Sequence, residues 1–221
     1  PLAEELCRTL PTLGEDVTGI RLKRRHVFMG RWIRHGGRYP LWMLRVFRPG
    51  AGYVEQRWMD EHIVVRQGRV VAMRETFTDE NLKDLTFFVD KHNRYATREA
   101  LQIILERHGL IGKDLMAGEA SSRQAAIKRW IKIHIYNKVP FQVSTVAYFI
   151  YRYVFQLGFL DGRQGVIYHG LQGLWYRFLV GARTWELERA LAGIPDDRIE
   201  IRAALLRLTG LDIDSEPCQS S

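Results

Sequence analysis

Asp60, Glu61 and His62 follow one another and form the sharpest chemical cluster in the chain. A carboxylate at a strand edge can take the proton from an attacking hydroxyl, which is general-base work. A histidine beside it can ligate a metal or a phosphate. The trio closes a stretch, RWIRHGGRYPLWMLRVFRPGAGYVEQRWMDEH from Arg31, in which Arg, His and Trp surround short apolar runs. Arg31, Arg34, His35 and Arg38 enclose Gly36-Gly37. Guanidinium groups on a flexible backbone suit a diphosphate or an acidic sugar. Trp32, Tyr39, Trp42 and Trp58 offer ring faces for a sugar, although Trp42, inside an apolar strand, reads as core. The blander readings are an exposed turn for Asp60–His62, a solvated loop for the arginines and a solvated face for Lys23-Arg24-Arg25. Asp79 reads as a helix N-cap and His92 as a satisfied core histidine.

These residues need elements to hold them. Leu2, Leu6, Leu10 and Leu13 recur at helical spacing, with Gly14 closing the helix. Residues 20–29 and 41–47 read as strands. The second, LWMLRVF, is apolar on both faces except for Arg45, as in a strand covered on both sides. Pro49-Gly50 marks a turn. Residues 62–66 and 69–73 read as a hairpin about Gln67-Gly68. From Asn81 the period turns helical and runs to His108-Gly109, where the glycine caps the helix. RQAAIKRWIKIHIYNK then reads as a basic amphipathic helix. The segment 139–160 carries Arg152 as its only charge and approaches the length of a membrane span. Its polar residues and aromatic flanks favour an interfacial helix instead. A further helix follows Asp161-Gly162, with Gln172 and Trp175 spaced to close over a pyrophosphate or to anchor the helix at an interface. A last short helix ends near Gly210.

The chain has 221 residues and a net charge of +8, unevenly spread. Residues 123–177 hold eight Lys or Arg against one acidic residue, and residues 1–78 hold fourteen against eight. A basic surface seeks phosphate, on nucleotide-sugars or on anionic lipid. The cations of 123–177 flank apolar helices instead of interleaving with aromatics on one sheet face, which argues against a nucleic-acid partner. Two cysteines near opposite ends, Cys7 and Cys218, give no metal spacing and fit a reducing compartment.

Four blocks, GRWIRHGGRYPLWMLRVFRPG, MDEHIVV, DENLKDLTFFVDKHNRYATREA and YFIYRYVFQLGFLDGRQGVIYHGLQGLWYRFLV, occur in this order. Over roughly residues 1–190 they resemble the C-terminal two-thirds of a family 2 glycosyltransferase, of the bacterial kind that builds lipopolysaccharide core or exopolysaccharide. The resemblance implies a GT-A fold, a nucleotide-sugar donor, a saccharide or lipid-linked acceptor and inversion at the anomeric carbon. It implies a divalent metal, Mg or Mn, held by an Asp-x-Asp motif. By position, Asp60 or Glu61 is the base, with Asp60 slightly favoured and His62 beside it. Arg31, Arg34, His35, Arg38 and Arg45 face the acceptor or the diphosphate.

The motif itself is missing, since the only Asp-x-Asp is Asp212-Ile213-Asp214 in the tail. The expectation is that this chain holds no metal alone, His62 being the one weak candidate, and neither binds a nucleotide-sugar tightly nor turns over. The fold expected is α/β, a partial GT-A (Rossmann-like) sheet followed by a helical C-terminal region on a membrane surface. Its parts are 1–118 for the catalytic portion, 119–192 for the basic aromatic helices and 193–221 for a short helix and tail. The place expected is the inner face of the bacterial cytoplasmic membrane, held peripherally. The alternative is a membrane-surface binding protein without catalysis.

Overall fold

The computed structural model describes residues 1–54, 63–111, 139–195 and 197–213, and shows a mixed α/β protein. The organising element is β1, Val17–Phe28, whose inward face changes character along its length. Ile20 and Leu22 are buried, then Arg24 and His26 follow, then Phe28 is buried again. Alternation sends Arg21, Lys23 and Arg25 to the other face.

Strand β1 is paired on both edges. Along one edge run β2, Arg31–Trp32, and β3, Leu41–Phe47, both antiparallel. Along the other runs β6, Arg69–Glu80, parallel to it. The pairs His26↔Asp79 and Val27↔Glu80 bring the carboxyl ends of β1 and β6 together. Strands β4, Gly52–Val54, and β5, Ile63–Val65, form a separate antiparallel pair. The anticipated hairpin about Gln67-Gly68 is therefore absent. Gly68 turns the chain at φ +89°, the Thr18 hydroxyl donates to the Gln67 carbonyl and Arg69 N–H donates to the Asp16 carbonyl. Val71 and Met73 then reach the Ile20/Leu22 core.

Helix α1, Leu2–Thr9, and a 3-10 turn at Leu10–Thr12 cover that core with Leu2, Leu6 and Leu13. Removing side chains such as Ile20, Leu22 and Met73 from water contributes about 1.5–3 kcal/mol each. Strand β6 bulges where Arg21↔Ala72 gives way to Lys23↔Thr76. The Glu5 carboxylate accepts from the Arg74 and Glu75 N–H groups, at 3.0 and 2.9 Å. Those bonds hold the Glu5 carboxyl below its usual value.

Strand β3 is an edge strand and is not covered on both sides: Leu41 and Trp42 are exposed. Trp42 lies under the Arg21 and Lys23 side chains, at 5.4 and 5.5 Å, and is not core. Those cations shield an apolar edge from water and from pairing with another chain.

Contacts divide the chain into two units, residues 1–55, 62–84 and 147–173 in one and the remainder in the other. In the second, α2, Leu85–Arg107, ends where Gly109 takes φ +63°. Leu101, Ile104 and Leu105 of α2 form one core with Leu187 and Leu191 of α5, Tyr176–Leu191, and with Ile201 and Leu205 of α6, Arg198–Thr209. Asp197 caps α6 by accepting from the Ile199 and Glu200 N–H groups. His92 Nδ1 lies 2.7 Å from the Phe88 carbonyl on the same helix.

The stretch 139–160 is helical but broken. It holds α3, Phe141–Ile150, a π turn at Tyr151–Phe155 and a 3-10 turn beginning at Gly158. Helix α4, Gly162–Tyr168, leads into a second π turn at His169–Trp175. Among the described residues no helix is long and apolar enough to cross a membrane. The basic helix expected between 119 and 138 lies outside the described residues.

Candidate functional site

The segment Arg31–Arg38, which follows the Met29-Gly30 turn, is tied down by one carboxylate. Asp161, only 2% exposed, sits where the 3-10 turn meets α4. Its Oδ1 accepts from Arg34 N–H at 3.2 Å and lies 2.8 Å from His35 Nδ1, and its Oδ2 accepts from His35 N–H at 2.9 Å. Gly36 N–H donates to the Gln156 carbonyl at 2.8 Å. The Gly36 carbonyl accepts from Arg152 Nε at 2.5 Å. Gly36 itself takes φ +65°, and a β-carbon there would lie 2.2 Å from His169 Cε1. Only glycine lets this loop approach the histidine so closely.

A second layer of polar groups lies at the carboxyl ends of β1 and β6. Arg24 Nη1 and His26 Nδ1 stand 3.3 and 3.4 Å from Asp79 Oδ2. The latter is an ion-pair contact without hydrogen-bond alignment, since neither His26 ring nitrogen has a hydrogen-bond partner among the described residues. The Tyr168 ring packs against His26 and Phe28, at 4.9 and 5.4 Å between centroids. The Arg38 guanidinium lies over the same tyrosine ring at 5.2 Å. Arg152, 5% exposed, spends Nε on Gly36 and Nη1 on the Tyr148 hydroxyl at 3.2 Å. Arg152 and His169 both stand on π turns, a geometry that recurs at functional sites.

The electrostatics are those of crowded cations out of water. Burial lowers the Arg24 and Arg152 guanidiniums from their usual value, and the Arg38 charge adds to it. Burial also lowers His26 against the pull of Asp79. The contact with His26 holds the Asp79 carboxyl below its ordinary range, helped by Arg24 and Arg38. Burial, with the Arg152 charge, pushes His169 down to about 4, so it is neutral at pH 7. Burial raises the Tyr168 hydroxyl, which stays protonated and able to donate.

Against this geometry the site expected from sequence divides in three. Asp60, Glu61 and His62, with Trp58, lie outside the described residues. His35 and Arg38 join the polar core, His35 on Asp161 and Arg38 on Tyr168. Arg31, Arg34 and Arg45 are exposed around it. Arg31 donates to the Leu160 carbonyl, Arg34 lies over the Trp32 ring, and Arg45 lies over Phe77 at a bulge of β3. Asp79 is no N-cap: it lies within β6, one residue before the strand's end, and α2 starts only at Leu85. Trp175 packs against Ala96, Tyr176 and Val180.

Arg24, His26, Arg152, Asp161, Tyr168 and His169 are the residues that sequence reasoning passed over. Alternation along β1 separates Arg24 from its neighbours Lys23 and Arg25. Arg152, a lone charge in an apolar helical stretch, had to find a polar partner in the interior. Among the described residues no three His, Cys, Asp or Glu side chains come together to hold a metal ion.

What the fold and site define is a mixed α/β chain with a cationic polar core at the carboxyl ends of a parallel strand pair. Comparisons with protein-family models, with curated proteins and with solved structures found no match for it.

Proposed function

We propose that the chain is the acceptor-side portion of an inverting glycosyltransferase of the GT-A type, moving a hexosyl group from a nucleotide-sugar to a saccharide or lipid-linked acceptor. The observation that supports this reading is the accumulation of Arg24, His26, Arg38 and Arg152 where β1 and β6 end. Open α/β sheets bind their ligands outside the carboxyl ends of their strands. Cations placed there suit the charge that develops on a leaving diphosphate. Asp60 is the base in this reading, with Glu61 the second candidate. In this reading a divalent metal belongs to the donor site.

The test is the product of the natural protein that carries this sequence, incubated with a panel of nucleotide-sugars and saccharide or lipid-linked acceptors. Mass spectrometry should show one added hexosyl group, and NMR coupling at the new anomeric centre should show inversion. Retention, or no transfer from any donor, contradicts the reading.

A second reading, peripheral attachment to an anionic membrane, has its own observation. Within residues 147–173, Ile150, Tyr151, Val154, Phe155, Leu157, Phe159, Leu160 and Val166 are all exposed. Arg152, the only charge of 139–160, is turned inward and leaves that surface uncharged. Exposed Arg31, bonded to the Leu160 carbonyl, and exposed Arg163 lie next to it. Apolar groups rimmed by arginines suit the interface of an anionic bilayer. Flotation with anionic vesicles should carry the protein upward, and Phe155→Asp should reduce the bound fraction several-fold. Equal flotation of the two proteins counts against this surface.

A further inference from the structure

We propose that Arg24, Arg38, Arg152 and the Tyr168 hydroxyl form a binding site for a phosphoryl group. The inference deepens the transfer reading, which assigns these cations to the leaving diphosphate, and it is tested by binding apart from transfer.

Four donors are left over in one place. Arg24 Nε, Arg38 Nε, Arg152 Nη2 and Tyr168 Oη are buried and find no hydrogen-bond partner among the described residues. Tyr168 is 1% exposed and Arg152 5%. Buried donors are almost always satisfied, and each that is not carries the cost of its lost hydration. They lie around the tyrosine. Arg38 covers its ring at 5.2 Å. Arg24 shares Asp79 with His26, whose ring packs on the tyrosine at 4.9 Å. Arg152 holds the Gly36 carbonyl beside His169, whose ring is 5.3 Å from the tyrosine ring.

The charge balance says what completes the site. The Asp79 carboxylate is shared by Arg24 and His26, and the Arg38 charge also acts on it. Asp161 is occupied by His35 and the backbone, and His169 is neutral. Neither Arg152, which is buried, nor Arg38, which is half buried, has a carboxylate partner among the described residues. A single carboxylate ligand would cancel one of their charges. A phosphate monoester dianion would cancel both, and its tetrahedral oxygens match several guanidinium forks and a hydroxyl at once. The phosphoryl group can belong to a soluble ester or diphosphate, or to a lipid headgroup, since the exposed apolar residues 150–166 flank Arg152 in sequence.

The test uses the full chain and two variants. Tyr168→Phe removes one hydroxyl that has no partner among the described residues, so the fold should keep its melting temperature or gain slightly. Arg38→Gln removes a charge that is only half buried. Inorganic phosphate and pyrophosphate, followed by calorimetry, should bind with a Kd below about 1 mM. Tyr168→Phe should weaken that binding about tenfold, and Arg38→Gln at least as much. In a parallel arm, vesicles of phosphatidylcholine with phosphatidic acid are compared with vesicles of phosphatidylcholine alone. Binding of free phosphate with vesicle binding indifferent to Tyr168→Phe assigns a soluble ester. Phosphatidic acid binding that Tyr168→Phe weakens assigns a lipid headgroup. The proposal is overturned if neither phosphate nor phosphatidic acid binds, or if both variants bind as well as the natural chain.

Discussion

The Asp161 carboxylate holds His35 twice, through the backbone N–H at 2.9 Å and through Nδ1 at 2.8 Å, across 126 positions of sequence. The pair fixes the loop that carries Arg38, so the polar core depends on it. Asp161→Asn replaces a buried acceptor-only group with one that presents a competing donor. It should lower stability by about 2–3 kcal/mol, read as a shift of the urea midpoint. An unchanged midpoint would show that the loop is held by other means.

Gly36→Ala and Gly30→Ala separate steric from conformational cost. Both glycines have positive φ, +65° and +73°, but a β-carbon at Gly30 meets nothing within 4 Å while one at Gly36 meets His169. Gly30→Ala should cost about 1 kcal/mol, the backbone penalty alone. Gly36→Ala should cost at least about 1–3 kcal/mol more, the penalty of overpacking. Equal thermal shifts for the two would mean that the ring moves aside freely.

The buried histidines give stability a definite pH dependence. His169 titrates near 4 when folded against an ordinary value of 6.5, and His26 is displaced in the same direction. The unfolded chain therefore binds protons first as pH falls, so stability is complete above about pH 6.5 and declines toward pH 4. Glu5 and Asp79, whose carboxyls are lowered from 4.5 and 3.8, add their losses only below those values. Melting temperatures from pH 7 to 4.5 should fall, and His169→Gln should flatten the slope. A slope that the substitution leaves intact would place the effect elsewhere.

Met29 is an exposed residue at φ +49°, beside Gly30 in the two-residue turn joining β1 to β2. Such turns favour asparagine followed by glycine. Met29→Asn should raise stability by about 1 kcal/mol, measured by denaturant titration. A loss would indicate that the methionine makes a contact worth more than the strain.

The strand nature of β1, the span of β3 and the ends of α2 and α6 were legible in the sequence, because each rests on local composition, periodicity or a glycine stop. Pairing was not legible. Val64 and Val71 both suit a strand, and nothing local says that one joins β4 while the other runs beside β1. Lys23-Arg24-Arg25 read as one solvated face because charge was counted without alternation. Asp161 and His35 lie too far apart in the chain for any spacing to join them. Trp42 read as core because its strand is apolar, and the shielding cations lie on another strand.

The most direct measurement of the glycosyl-transfer account is the rate of sugar transfer by the natural protein with Asp60→Asn and Glu61→Gln made singly. Removal of a general base should lower kcat about 100-fold or more, with little change in acceptor KM, for Asp60→Asn and not for Glu61→Gln. Transfer that proceeds at full rate in both variants would contradict it.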